Sequence, residues 1–234
     1  PPAPKSRLAR IIDSDIFYSY RTSPVAIVSS IVATVLILAA VFAPWIAPYD
    51  PFNPRTLNLM NGFTPPMSES FSGSFFLLGS DHQGRDVFSA ILYGSRVSLM
   101  VGLSAILFAM LLGVTLGLIA GYRGGLTDTI IMRIADVQLS FPSILIALLI
   151  FGIARGIIPP NQRESMAIFV LIFSIGLSDW AQFARTVRGT TMVERQKDYV
   201  SAARIIGVKP VFILIRHILP NVLGPVLVIG TIGA

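Results

Sequence analysis

Two stretches of this 234-residue chain carry no charged residue, and each is longer than the ~20 residues a helix needs to cross a bilayer. They are "TSPVAIVSSIVATVLILAAVFAPWIAPY", between Arg21 and Asp50, and "VSLMVGLSAILFAMLLGVTLGLIAGY", between Arg96 and Arg123. A chain with two such runs is built for lipid. Composition agrees: 53% of residues are hydrophobic and 13% charged, against roughly 25% charged in soluble domains. The predicted fold class is therefore all-α, a polytopic helical membrane protein.

Three weaker runs complete the count. Val137 to Ala154 holds Pro142 and is expected to cross as a helix kinked there. Ser165 to Ser178 is short, so its helix must continue through Asp179 and Trp180 toward Arg185, with the indole at headgroup depth. The fifth begins near Pro220. The chain opens on Pro1 and stops inside "NVLGPVLVIGTIGA", and is read as a fragment lacking a C-terminal helix.

The basic residues set the orientation. With a cytoplasmic N-terminus, the inner side holds Lys5, Arg7, Arg10, Arg21, Arg123, Arg133 and seven more from Arg185 to Arg216, thirteen in all; Arg55, Arg85, Arg96, Arg155 and Arg163 make five outside. This follows the positive-inside rule. The net charge of +6 thus reports topology, and no nucleic-acid partner is expected. The expected organisation is a cytoplasmic segment 1–23, a first transmembrane helix 24–48, an extracytoplasmic segment 49–95 and a membrane core 96–234 with a cytoplasmic loop 185–216. The bilayer is the first partner.

Chemistry-bearing constellations are sparse. The chain has no cysteine, hence neither a disulfide nor a thiolate metal site. None of its three lysines, Lys5, Lys197 and Lys209, follows a glycine, so there is no phosphate-binding G-x-x-x-x-G-K-[ST] loop. Asp81, His82 and Asp86 could ligate a metal only weakly, and a turn with Asp86 as a helix N-cap is the plainer reading. From that cap, Val87, Phe88, Ile91 and Leu92 are expected to form an interfacial helix ended by Gly94. No catalytic, metal or cofactor-binding residue is assigned. The acidic residues all fall outside the spans or, like Asp179, at the inner interface, which argues against ion coupling.

Two features remain. Gly113, Gly117 and Gly121, at four-residue steps, make one stripe on the second helix, where another backbone can approach closely, within this subunit or from a partner; a gating hinge is the alternative. The second feature is "YVSAARIIGVKPVFILIRHILPNV", residues 199–222. A short helix from Asp198 to Ile206 would put Tyr199, Ala202, Ala203 and Ile206 on one face, with Ser201 and Arg204 nearer the other. Gly207 would end it in the left-handed conformation, and Lys209-Pro210 would start a lead-in helix running to Leu219-Pro220. The bland alternative is an amphipathic loop on the headgroups.

"SAARIIG", with Pro220 thirteen residues after Gly207, resembles the E-A-A-x-x-x-G loop and terminal L-P of binding-protein-dependent ABC importer permeases, with Ser201 in place of the Glu. "LGSDHQGRDVFSAILYGSRVSLMVG" is similar to the L-G-T-D-x-x-G-R-D stretch of the dipeptide, oligopeptide and nickel permeases, with Ser80 in place of the Thr. "GLIAGYRGG" and "RHILPN" resemble the same group, and the long segment after the first helix fits its C-type subunit. The resemblance implies a type I ABC importer fold with six helices, five of them present. It implies a second, non-identical permease, two ATP-binding subunits that hold ATP and magnesium, and an extracytoplasmic substrate-binding protein. It also implies that Tyr199, Val200, Ser201, Ala202, Ala203, Arg204, Ile206 and Gly207 dock to an ATPase subunit, with Pro210, Leu219 and Pro220 carrying the motion onward. Arginine at Ala203 is then expected to break coupling without unfolding the chain. Di- or oligopeptides are the expected cargo, with nickel or another small solute as the alternative. An ion-coupled secondary transporter, and a scaffold or membrane enzyme, are the rival classes.

Overall fold

A seryl side chain starts the first helix: Ser23 Oγ accepts from the Ala26 N–H at 3.3 Å, and Pro24 follows with its preset φ. In this computed structural model, residues 21–53 and 58–233 are described; the expectations placed on residues 1–20, including Lys5, Arg7 and Arg10, and on Arg55 lie outside them. Helix α1 (Pro24–Val41) breaks at Phe42, before the short α2 (Ala43–Ile46), instead of running unbroken through the expected 24–48. The chain forms two compact units, one up to Leu99 and one from Met100 onward, four residues later than the expected boundary.

The first unit holds the loop region. Two short strands, β1 (Ser68–Glu69) and β2 (Phe75–Phe76), pair antiparallel, with Ser68 opposite Phe76. Helix α3 (Val87–Arg123) begins here and continues for 37 residues into the second unit. Asp86 caps it, its carboxylate accepting from the Ser89 N–H at 2.8 Å. The separate interfacial helix expected to end at Gly94 is therefore corrected. A helical glycine costs only about 1 kcal/mol, and nothing at Gly94 supplies a positive φ or a proline to stop propagation.

The second unit is arranged around α6 (Arg163–Glu194), against which α4 (Gly125–Leu139), α5 (Ser143–Ile157) and α9 (Leu219–Gly233) pack. Helices α4 and α5 meet at 97°, so the expected single helix kinked at Pro142 is a broken pair. Proline has no N–H to give and its ring clashes with the carbonyl four residues back; Pro142 instead takes an extended conformation and starts α5. Helix α7 (Asp198–Ile205) follows α6, and α8 (Pro210–Ile213) runs through a π turn (Leu214–Ile218) into α9. The lead-in and the last span are thus one rod, with the widened turn placed just before Pro220. Because α6 continues to Glu194, the loop expected over 185–216 shrinks to the short turns around α7 and the start of the rod.

Among the described residues, four helices are long and apolar enough to cross a membrane: Pro24–Val41, Val87–Arg123, Pro160–Glu194 and Pro210–Thr231. The α4–α5 pair makes a fifth if its two bent arms count as one span.

Candidate functional site

The close of α7 follows from three residues. Gly207 adopts φ +80°, its N–H bonds to the Arg204 carbonyl at 3.0 Å, and the Val208 N–H reaches the Ala203 carbonyl at 3.0 Å. This is the Schellman arrangement, and Val208 packs on the same apolar cluster as Ala203. Pro210 then occupies the first helical position of α8, with Lys209 at its cap.

Burial separates the two faces of α7. Val200 and Ala203 point inward, onto a cluster with Val187 of α6 and Ile213, Ile218, Val222 and Val226 of the rod. Ser201, Ala202, Arg204, Ile206 and Gly207 are exposed, as is Ile205, 86% of whose surface is open. The sequence placed Ala203 on the outward face with Ala202 and Ile206; the structure corrects this, since Ala203 is 4% exposed. Hydrophobic periodicity offered no choice of sign here, because apolar residues lie on both sides, Val200 and Ala203 inward and Ala202, Ile205 and Ile206 outward. Ile205, absent from the expected site, belongs to the open face.

Polar contacts that the sequence reading missed hold α7 in register. Tyr199 is half-buried; its hydroxyl donates to Glu194 at the end of α6 and accepts from Asn221 Nδ2 of α9 at 3.0 Å. Its ring stacks on His217 in the π turn, 6.4 Å between centroids. Glu194 also pairs with Lys197 at 2.6 Å. Burial pushes the Tyr199 hydroxyl above its usual range, and the Glu194 carboxylate adds to the shift. Arg204 lies over the Tyr122 ring at 4.9 Å, while Arg195 donates to the carbonyls of Gly121 (3.0 Å) and Tyr122 (3.2 Å) at the α3 C-terminus, where a cation is favoured. Of the expected lead-in residues, Pro210 opens the rod, and Leu219 and Pro220 lie within it. Of these contacts only Glu194–Lys197 is local in sequence, at i and i+3.

The glycine stripe meets α6. A Cβ at Gly113 would lie 2.5 Å from the Trp180 carbonyl oxygen and from Phe183 Cβ; at Gly117, 2.6 Å from the Ala184 carbonyl; at Gly121, 2.7 Å from Thr191 Cβ. The stripe thus packs on α6 of the same chain, and this contact connects α3 to the helix that leads into α7. On another side of α6, Asp128 of α4 accepts from Arg188 Nε and Nη2, each at 2.6 Å, Asp136 pairs with Arg185, and Trp180 Nε1 donates to Gln138 at 2.8 Å. A cavity of about 620 Å³ opens beside these contacts, lined by Ser143, Asp179, Gln182, Arg185 and Thr186 among apolar neighbours.

In the first unit, the Asp81 and Asp86 carboxylates serve the turn. Asp81 accepts from the N–H groups of Gln83 (2.8 Å) and Arg85 (2.9 Å) and from Arg85 Nε (2.8 Å), around Gly84 at φ +76°. Burial pushes the Asp81 carboxyl up, but these donors and the Arg85 charge outweigh it and hold it below its ordinary 3.8. Its contribution to stability is therefore complete above about pH 4 and lost as pH falls through the lowered folded value. Thermal unfolding of the detergent-solubilised protein should show Asp81→Asn below the wild type at pH 7, with the gap closing as pH falls through the lowered folded value. A gap independent of pH would remove the carboxylate from this role.

Helices of this length and apolarity, with an amphipathic helix clasped between two of them, define an integral membrane protein of the all-α polytopic class. Over residues 113–232 the sequence matches the family described as "binding-protein-dependent transport system inner membrane component", and over residues 14–66 the "N-terminal TM domain of oligopeptide transport permease C". The chain belongs to this family of transport-system inner membrane components. It is 34% identical over 218 residues to the oligopeptide transport system permease protein OppC of Bacillus subtilis, covering 93% of this chain and 65% of that one, just under two thirds of its length. The dipeptide transport system permease protein DppC of Haemophilus influenzae is 31% identical over 231 residues (99% and 72%). The glutathione transport system permease protein GsiD of Pectobacterium atrosepticum is 39% identical over 204 residues (87% and 62%).

Proposed function

We propose that this chain is a permease subunit of an ATP-driven, binding-protein-dependent importer of di- or oligopeptides, and forms one half of the pathway. The observation that carries the reading is α7: its inner face is locked to α6 and to the α8–α9 rod, while Ser201, Ala202, Arg204, Ile205 and Ile206 stand open to a partner. A push on that face is delivered directly to two spans. Two ATP-binding subunits, holding ATP and magnesium, supply the push; a non-identical permease completes the pathway, and an extracytoplasmic binding protein delivers cargo. The names of the relatives support peptides over nickel.

Proteoliposomes holding this chain, its neighbouring permease, both ATPase subunits and the binding protein should import peptide only with ATP, and omission of any component should abolish uptake. Uptake by this chain alone, driven by an ion gradient and indifferent to ATP, would overturn the reading. One observation favours that rival: Asp179 lies about 24 Å along α6 from Arg163 at 1.5 Å per residue, so that with Arg163 at the outer interface it falls within the ~30 Å hydrocarbon thickness.

The N-terminus is cytoplasmic in this proposal. The native chain has no cysteine, so Ser80→Cys and Gln196→Cys report topology directly. An impermeant thiol reagent on intact cells should label the first and spare the second; the reverse pattern would invert the protein and take the ATPase contact with it.

A further inference from the structure

We propose that Asp179 is a substrate-contacting residue of the pathway, receiving the primary ammonium group of a peptide in transit. The inference rests on the transport reading above and names the group at work inside it. Asp179, Gln182 and Thr186 recur at i, i+3 and i+7 on α6, which makes one polar stripe on a helix whose other faces are occupied. Trp180 is held by Gln138, and the Gln138 amide nitrogen Nε2 in turn donates to the carbonyls of Leu177 (2.8 Å) and Ser178 (2.5 Å), so the rotation of α6 is fixed. Phe183 and the glycine stripe seal the side toward α3. The stripe is left facing the 620 Å³ cavity.

Within that cavity Asp179 has no basic partner among the described residues. The nearby arginines are engaged elsewhere, Arg185 with Asp136 and Arg188 with Asp128. Asp179 meets only the hydroxyls of Ser178, at 3.4 Å, and Ser143. A half-buried carboxylate with only hydroxyl neighbours is expensive to keep, and ionisable residues on spanning helices mark pathways. Its neighbour Ser143 is the first residue of α5, but the contact there is made by the hydroxyl. A passing cation offsets its desolvation without binding permanently. Oligopeptides, dipeptides and glutathione, the cargoes in the relatives' names, share a primary ammonium beside otherwise different side chains. One carboxylate can therefore serve all of them, leaving side-chain selection to other parts of the system.

The test uses the full chain in the assembled complex and has two arms. In the first, Gln182→Cys is the single thiol, and its reaction rates with a quaternary-ammonium and a sulfonate methanethiosulfonate reagent are compared. Asp179→Asn should lower the cation-to-anion rate ratio about tenfold, the lower end of what a charged cleft does to local ion concentration. In the second, Asp179→Asn should cut ATP-driven dipeptide uptake roughly tenfold, as loss of a charged partner does, while Asp179→Glu restores both the rate ratio and the uptake. An unchanged rate ratio, or wild-type uptake by Asp179→Asn, overturns the assignment. Absence of ATP-driven uptake in the wild type, with the cation preference at position 182 intact, would instead refute the importer reading and leave a cation-attracting groove.

Discussion

Leucine at Gly117 abolishes the folded protein. Even a single Cβ there would stand 2.6 Å from the Ala184 carbonyl and 2.8 Å from Val187 Cβ, and neither is the yielding end of a long side chain. Helices α3 and α6 must separate to admit it, which opens the glycine stripe along its length and strips contacts from Val187, a residue with no exposed surface. The expected cost is on the order of 3 kcal/mol, the upper part of the range for overpacking, and a large fraction of the stability of most folded proteins. Fluorescence-detected size-exclusion chromatography in mild detergent should show the monodisperse peak replaced by aggregate. Gly152→Leu is the matched control, because nothing lies within 4 Å of a Cβ at Gly152. Equal behaviour of the two variants would mean that the stripe is not the contact between these helices.

Aspartate at Ile205 uncouples transport and leaves the chain folded. The side chain is 86% exposed on the outer face of α7, so a charge there meets water in the isolated subunit and a desolvated surface only when the proposed ATPase subunit docks. Loss of a central apolar contact at an interface costs about 2 kcal/mol, roughly thirtyfold in affinity. Co-purification of ATPase subunits and ATP-driven uptake should both collapse at normal permease abundance. Ala203→Arg now has the opposite expectation to the one its sequence position suggested. Its guanidinium would enter the cluster of Val200, Ile213 and Ile218 unpaired, at several kcal/mol, and the protein should be lost from the membrane fraction. Normal abundance of Ala203→Arg with coupling lost would restore Ala203 to the docking face.

The reach of the sequence differs from residue to residue within this one segment. Gly207 was legible as the end of α7 because a left-handed C-terminal residue is a local demand of the backbone, and Lys209-Pro210 was legible as a restart because proline presets φ. The orientation of α7 was not, because apolar residues lie on both of its faces, Val200 and Ala203 inward and Ala202, Ile205 and Ile206 outward. Gly94 and Pro142 show the same contrast in the spans. Glycine only weakens a helix, and α3 runs through it; proline removes a donor and adds a clash, and the chain turns by 97° at that break. Asp179 looked like no more than a charge at the end of an apolar run, because the groove it lines is built with residues of other helices that the local sequence does not reveal.

Charge-free length alone specified lipid as the solvent and helix as the element, since backbone groups in hydrocarbon must find partners within their own segment. Spacing alone specified the glycine stripe, the α7 stop and the N-cap at Asp86. Which surface the stripe meets, which face of α7 turns inward, and which helices Glu194, Tyr199 and Asn221 tie together depend on contacts between residues far apart in the chain. In a bilayer, apolar side chains gain nothing by turning away from lipid, so hydrophobicity does not point to the interior of the bundle. Close packing and hydrogen bonding do that work, and both require the neighbouring helix to be in place.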